Sequence, residues 1–147
     1  MSARKHPEAE HMLRATGERV TRPRVEILSL LLASERALTH HEVEKRVNRG
    51  LGIDRVTVYR VLDWLSAHGL AHKIAGEDRV SRYNAAEHKH SRSHAHFHCE
   101  RCGTVICLDE PRRDLRVRIP RGFVSHEIAL TVKGRCAACA HGESAPR

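Results

Sequence analysis

Two CxxC pairs in the second half of the chain constrain its fold more than any other feature. Cys99 and Cys102 form the first pair, and Cys136 and Cys139 form the second. Two thiolates three residues apart on a tight turn can chelate one metal ion, and two such pairs complete a tetrahedral site. Redox pairs or unrelated thiols are the alternatives, but neither motif opens a helix in a thioredoxin-like unit. The spacing therefore predicts a structural zinc ion, which supports the fold because a closed site leaves no position for catalysis.

The number and position of the cysteines also indicate the compartment. All five cysteines follow residue 83, and residues 1–10 contain no apolar segment of the signal-peptide type. An odd cysteine count without an export signal argues against a disulfide scaffold. The longest apolar stretch, residues 27–33, is too short to span a bilayer. We therefore expect a cytoplasmic protein without membrane contact.

The charge balance favours a polyanionic partner. Lys and Arg number 26 against 18 Asp and Glu, which gives a formal charge of +8. Basic side chains that neutralise phosphates release counterions and gain affinity for nucleic acid. A solvated basic surface would have the same balance, so the charge alone does not decide between the two interpretations.

The first part of the chain is predicted to be helical, with capping residues and glycines marking the helix ends. Four helices are expected. The first covers residues 8–15 before Gly17, and the second follows a cap at Thr21. The third runs from the Thr39–Glu42 capping box to about Asn48, and the fourth runs from Asp54 to about His68. His40 and His41 lie at the start of the third helix and are expected to be solvated.

The last of these helices has two distinct faces. Apolar residues recur at helical spacing and form one buried stripe, namely Val58, Val61, Leu62 and Leu65. Polar residues fall off that stripe in the N-terminal half, namely Arg55, Thr57, Tyr59 and Arg60. Such groups suit a recognition helix, whose first turns meet base edges in the major groove of DNA. An ordinary solvated helix face is the alternative.

A hairpin after this helix favours DNA binding over the alternative. Residues 70–75 and 80–84 flank a turn cluster at 76–78. Helices followed by such a hairpin describe a winged helix-turn-helix, and this order of elements supports a recognition helix.

The pattern changes to short strands after a polar linker at about 85–93. Strands are predicted at 95–99, 104–108 and 125–133, a strand or short helix at 112–119, and a disordered tail at 141–147. We therefore expect an α+β protein in which a winged-helix domain (1–84) precedes a small α/β domain (85–147).

Histidines cluster just before the first CxxC pair. His94, His96 and His98 alternate along a predicted strand and would point the same way. Histidines two residues apart on one strand face are a plausible metal chelate. Cys107, which the four-cysteine site leaves over, is either a small buried hydrophobe or a further ligand.

Four segments resemble the ferric uptake regulator family and occur in the order that the family has. They are residues 17–24, 55–62, 94–103 and 134–139, and the resemblance covers about residues 8–140. It implies a metal-dependent transcriptional repressor. An N-terminal winged helix would bind operator DNA, and a C-terminal α/β domain would dimerise and bind metal.

The resemblance also implies roles for individual residues. Arg19 matches the basic residue that reaches into the minor groove, and Tyr59 and Arg60 match the recognition-helix pair that contacts bases. His94 and His96 match the HxH pair of the regulatory metal site.

Departures from the family's pattern bear on the metal that is sensed. Ser93 and Ile128 occupy two positions where iron-sensing members have histidines, and Asn84 falls where a carboxylate is expected. His72 falls where zinc uptake regulators place a ligand, and Cys107 falls where many relatives place a carboxylate.

The implied regulatory ligands are rich in nitrogen and sulfur, which suits zinc better than ferrous iron or manganese. They are His72, His94, His96 and Cys107, with Glu87, His88 and His90 as further candidates on the linker.

A homodimeric repressor, in which zinc closes the dimer onto double-stranded operator DNA, is therefore the predicted function. An iron- or peroxide-sensing regulator of the same family is the alternative, and a His/Cys metalloenzyme or metal-storage protein is the alternative of another class. No HExxH motif or nucleophile elbow is present, and a storage protein has no need of a winged helix. We expect no enzymatic activity and no small organic substrate.

Overall fold

The computed structural model describes residues 5–76, 78–86, 93–108, 117–126 and 128–142. The chain divides into two compact units, residues 1–87 and 88–147. Helices and a small sheet in the first unit, and a second sheet in the other, confirm the predicted α+β class. No helix in the described part of the chain is long and apolar enough to cross a lipid bilayer.

Four helices open the N-terminal unit, and side-chain caps begin two of them. They are α1 (His6–Ala15), α2 (Arg22–Leu32), α3 (His40–Leu51) and α4 (Arg55–Ala67). The predicted capping box opens α3, because the Glu42 N–H donates to Thr39 Oγ1 at 3.2 Å and the Thr39 N–H donates to Glu42 Oε2 at 2.8 Å. Asp54 Oδ1 accepts from the Thr57 N–H at 2.7 Å and opens α4.

Two helix ends differ from the prediction. Helix α3 continues through Gly50 to Leu51, and Gly52 then takes a left-handed conformation with φ 60°. One glycine inside a helix costs only about 1 kcal/mol relative to Ala, and burial of Val47 on α3 offsets that cost. Thr21 precedes α2 but makes no side-chain capping bond, and Pro23 leaves Arg24 as the remaining N–H that such a cap could bind.

The predicted wing is a hairpin within a three-stranded antiparallel sheet. The strands β1 (Leu38–Thr39), β2 (Ala71–Ala75) and β3 (Ser81–Ala85) lie in the order β1-β3-β2. Ala85 therefore belongs to the wing and not to a linker. At the tip, the Asp78 carboxylate accepts bonds from the Arg82 guanidinium at 2.8 and 3.1 Å and from the Val80 N–H at 3.1 Å. These donors, Arg82 first, lower the pKa of Asp78 to about 2.

Aliphatic side chains from the four helices and the hairpin form the core of this unit. The predicted stripe of α4 is buried in full. It packs with side chains of the other elements, among them Leu13, Ile27, Leu28, Leu31, Val43 and Tyr83. Because the stripe faces this core, the other side of α4 is left at the surface, and the unit has the predicted winged helix-turn-helix architecture.

The C-terminal unit is built on one central strand. Strand β4 (Ser93–Cys99) pairs antiparallel with β5 (Val105–Leu108) and parallel with β6 (Ile128–Gly134), and a one-turn helix, α5 (Ala137–Ala140), follows. Strand β6 begins later than the predicted residue 125, because β4 begins at Ser93 and its first partner is Ile128.

Some predicted segments fall partly outside the described residues. Residues 87–92 of the linker, 112–116 of the segment before β6, and 143–147 of the tail are outside them, while residues 117–120 are described and form neither helix nor strand.

Candidate metal centre and nucleic-acid interface

The pairing of β4 with β6 brings the two CxxC pairs together. The strands run parallel, and Cys99 at the end of β4 is the partner of Gly134 at the end of β6. Each strand is followed directly by a tight turn that has the remaining cysteines. The first turn uses Gly103 at φ 73°, and the second turn begins α5, with Cys136 as its N-cap.

The four sulfur atoms lie at distances suited to one metal ion. The Sγ atoms of Cys99, Cys102, Cys136 and Cys139 all lie within 4.8 Å of one another, and those of Cys102 and Cys136 are 3.7 Å apart. A tetrahedral zinc ion with zinc–sulfur bonds of about 2.3 Å separates its ligands by about 3.8 Å. The cysteines therefore fit a closed, tetrahedral metal site.

The surroundings act on the cysteine pKa values in opposite directions. Hydrogen bonds from main-chain N–H groups, first that of Cys102 and then that of Cys136, lower the pKa of Cys99 to about 6. The Cys136 N–H lies 3.3 Å from Cys99 Sγ. Burial raises the pKa of Cys139 to about 12, and the neighbouring sulfurs add to this effect. A bound cation would stabilise all four thiolates together.

A second pair of potential ligands lies on the β4–β5 ladder. His96 and Cys107 are direct cross-strand partners, so their side chains lie on the same face of the sheet. Both are partly buried. The structure thus brings together two of the four predicted regulatory ligands, one nitrogen donor and one sulfur donor.

The other predicted regulatory residues have defined places on strands or lie outside the described part. His72 is on β2 opposite Asn84, and His94 is on β4 in register with Ala129 of β6. Glu87, His88 and His90 fall outside the described residues.

The predicted DNA-contacting residues lie on the side of α4 that the core leaves free and on the loop before α2. Arg55, Tyr59 and Arg60 are exposed, and Thr57 is partly buried where it helps to cap α4. Arg19 is exposed in the loop between α1 and α2.

Sequence reasoning did not find an aromatic stack beside this face. The Arg24 guanidinium lies 3.7 Å from the centre of the Trp64 ring, and His68 stacks on Trp64 at 3.9 Å. Arg24 Nη1 also donates to the main-chain oxygen of Arg19 at 2.5 Å. An open cleft of about 400 Å³ next to the stack is lined by Arg24, Trp64 and residues of the α4 surface, including Arg60. The four-residue spacing of Trp64 and His68, at the C-terminal end of α4, was the only local signal of this stack.

His40 is not the solvated residue that its sequence position predicts. Its side chain is 12% exposed and its ring stacks on that of Tyr59, with centroids 3.3 Å apart and an interplanar angle of 16°. The two residues belong to α3 and α4, so the contact depends on the packing of the helices and has no signature in the sequence.

Comparisons with known proteins agree with this architecture. A sequence profile of the ferric uptake regulator family matches residues 15–133. The ferric uptake regulation protein of Cupriavidus metallidurans is 33% identical over 129 residues, which cover 84% of this chain and 88% of that protein. The transcriptional regulator FurA of Mycobacterium bovis is 32% identical over 137 residues, which cover 90% of each chain. Among solved structures, a zinc uptake regulator complexed with zinc and DNA shares the fold with a TM-score of 0.69, at 22% identity over 96% of each chain.

Proposed function

Because the chain belongs to the ferric uptake regulator family and is a metal-responsive transcriptional regulator, not an enzyme, we propose that it represses transcription with zinc as its corepressor. One zinc ion would be structural and a second would be regulatory. The observation that carries the choice of metal is the pairing of His96 with Cys107 on the β4–β5 ladder.

The structural zinc ion is proposed for the four-cysteine cluster. Four sulfur donors within 4.8 Å of one another form an all-thiolate set, which selects zinc or iron–sulfur chemistry over oxygen-seeking cations. The site has no open coordination position and would stabilise the C-terminal unit.

The regulatory zinc ion is proposed for His96 and Cys107, with His72 and His94 added on the family resemblance. A thiolate and imidazoles together suit zinc, whereas ferrous iron and manganese are bound more often through carboxylate oxygens. When it is bound, zinc would supply charge neutralisation and a fixed arrangement of its ligands. The residues of the chain would then hold the dimer in the form that fits an operator.

The DNA partner is proposed from charge and exposure. Arg19, Arg55 and Arg60 are exposed basic residues on or near the α4 face. Arginine can read guanine in the major groove and can neutralise phosphates. We propose that Tyr59 and Arg60 contact bases and that Arg19 enters the minor groove.

A homodimer in the cytoplasm is proposed as the working form. The C-terminal unit has large apolar side chains at its surface, with Phe123 72% and Val124 78% exposed. Further exposed apolar residues of this unit are Val117, Ile119, Ile128 and Val132. A second copy of the chain would cover such a surface.

The test measures DNA binding as a function of zinc in the wild type and in His96→Ala. The DNA is a duplex enriched from a random library by the zinc-loaded wild type, and a weak chelator removes only loosely held metal. We expect zinc to tighten wild-type binding ~10- to 100-fold, in the usual range for coupled sites. His96→Ala should keep the dimer and one zinc ion per chain but lose the zinc response.

His11→Ala is the matched control, since His11 is exposed on α1 and is not in the proposed ligand set. It should respond to zinc as the wild type does. A zinc response that survives in His96→Ala would refute the ligand set. A response to ferrous iron and not to zinc would instead support the iron-sensing alternative.

A further inference from the structure

The stack of His40 on Tyr59 joins a buried side chain to a proposed base-reading side chain. The ring centroids are 3.3 Å apart and the planes are nearly parallel. The side chain of His40 is 12% exposed, while Tyr59 is 43% exposed. The imidazole therefore covers one face of the Tyr59 ring and leaves much of the remaining ring at the surface of α4.

The position of His40 is fixed from several directions. It is the first residue of α3 and directly follows the capping-box residue Thr39. Glu42, the other member of the box, is held by Arg36 at 2.7 Å. Val43 and Val58 are fully buried and anchor α3 and α4 in the same core. The imidazole is thus a rigid support and not a freely rotating surface side chain.

Burial favours a neutral His40 ring, although the nearest carboxylate opposes this. Burial lowers the pKa of His40 most, Glu44 raises it, and the charge of Arg55 on α4 lowers it again by less, while a hydrogen bond with the Arg55 main chain raises it. The Glu44 carboxylate is 3.9 Å from His40 Nδ1, and His41 is the remaining titratable neighbour on α3. Two rings in parallel contact gain dispersion energy from their close packing, and each limits the rotation of the other.

We propose that His40 is a positioning residue for DNA recognition, which holds the Tyr59 ring in its base-reading orientation before DNA arrives. This inference rests on the proposed function, in which Tyr59 contacts bases. An exposed tyrosine without support would lose side-chain freedom when DNA binds, and that ordering weakens binding. The stack removes this loss in advance, so it strengthens binding to the operator but not to random DNA, where Tyr59 has no base to read.

The experiment is a double-mutant cycle on the zinc-loaded dimer. Dissociation constants are measured for the wild type, His40→Ala, Tyr59→Ala and the double variant. Each is measured on the selected duplex described above and on a scrambled duplex of the same composition. We expect His40→Ala to lower the ratio of the two affinities by about 3- to 10-fold, with the zinc content and the dimer unchanged and only a small fall in the thermal midpoint. The same substitution in the Tyr59→Ala background should change the ratio no further.

Two more variants separate positioning from other roles. His40→Phe keeps a flat ring and should restore the ratio to within about 2-fold of the wild type. His41→Ala, at the exposed neighbouring position, should leave the ratio unchanged.

Each failure identifies which idea is wrong. If Tyr59→Ala leaves the ratio at the wild-type value, base reading by Tyr59 is wrong, and with it this part of the proposed function. If Tyr59→Ala lowers the ratio but His40→Ala does not, positioning by His40 is wrong. Equal loss on both duplexes, a further loss in the double variant, or failure of His40→Phe to restore the ratio would also overturn it.

Discussion

At the scale of single residues, the four-cysteine cluster is asymmetric before any metal binds. Main-chain N–H groups lower the pKa of Cys99 to about 6, while burial raises that of Cys139 to about 12. One sulfur is therefore ready to bind a cation near neutral pH, and the other loses its proton only when the cation arrives. Metal binding to this cluster releases protons, so its affinity rises with pH.

Cys136 is the residue whose loss should damage this site most. It lies 3.7 Å from the sulfur of Cys102, and its N–H donates to the sulfur of Cys99. We expect Cys136→Ser to lose the structural zinc and the dimer, because binding energy on the order of 10 kcal/mol is also folding energy for such sites. Metal analysis and sedimentation velocity check this.

Cys107→Ser is the matched control for that experiment. It removes a thiol of the same unit that is not one of the four converging cysteines, so it should keep one zinc ion and the dimer. A well-folded Cys136→Ser dimer with the wild-type zinc content would show that the four cysteines do not hold a structural ion.

The sequence alone could identify residues of the metal centre and of the α4 face only where the signal was local. The CxxC spacing pointed to the cysteines directly, because each pair lies on one turn. The stacks of His40 on Tyr59 and of Arg24 on Trp64 join residues of different helices, so they depend on tertiary packing that no spacing in the sequence encodes.

At the scale of helices and strands, the starts of capped helices were easier to predict than helix ends or strand limits. The caps at Thr39 and Asp54 act within three residues, so the sequence alone located the starts of α3 and α4. The end of α3 depends on the core that holds Val47, and the start of β6 depends on where β4 begins. Parallel pairing of β4 with β6 joins strands that are distant in sequence, and local patterns do not contain that information.

The wing turn offers a prediction at the same scale. Asp78→Asn removes the charge of a half-exposed carboxylate from its ion pair with Arg82, and such a pair near the surface typically stabilises by less than about 1 kcal/mol. We expect the Val80 amide to exchange its hydrogen up to about 5-fold faster, because this N–H also bonds to Asp78. Hydrogen exchange followed by NMR measures the effect.

The pH dependence of this change in Val80 amide exchange follows from the lowered pKa of Asp78. The folded pKa of about 2 lies below the ordinary aspartate pKa of 3.8, so the stabilisation is complete above about pH 4 and is lost only as the pH falls toward 2. The ratio of the Val80 exchange rates in Asp78→Asn and in the wild type should therefore be constant from pH 7 to pH 5. A ratio that falls within this window would contradict the assigned role of Asp78.

At the scale of the whole molecule, zinc can act only by binding one form of the protein more tightly than another. If zinc tightens operator binding ~10- to 100-fold, thermodynamic linkage requires the operator to raise the regulatory zinc affinity by the same factor. We expect this equality in the wild type, measured by competition with a chromogenic chelator with and without the selected duplex. A scrambled duplex should raise the zinc affinity less, and unequal factors would mean that the two ligands do not share one conformational equilibrium.

The parallel register of β4 and β6 has a consequence for how this fold can vary. The two strand ends and their CxxC turns meet, so Cys102 and Cys136 hold together the ends of a loop of chain that includes β5 and β6. The entropy cost of closing such a loop grows only with the logarithm of its length, about 0.6 kcal/mol for each doubling. Insertions between β5 and β6 therefore cost little in loop closure while the cysteines hold both ends, provided that they leave in place the exposed apolar residues of this stretch, such as Phe123 and Val124, that we propose a second copy covers.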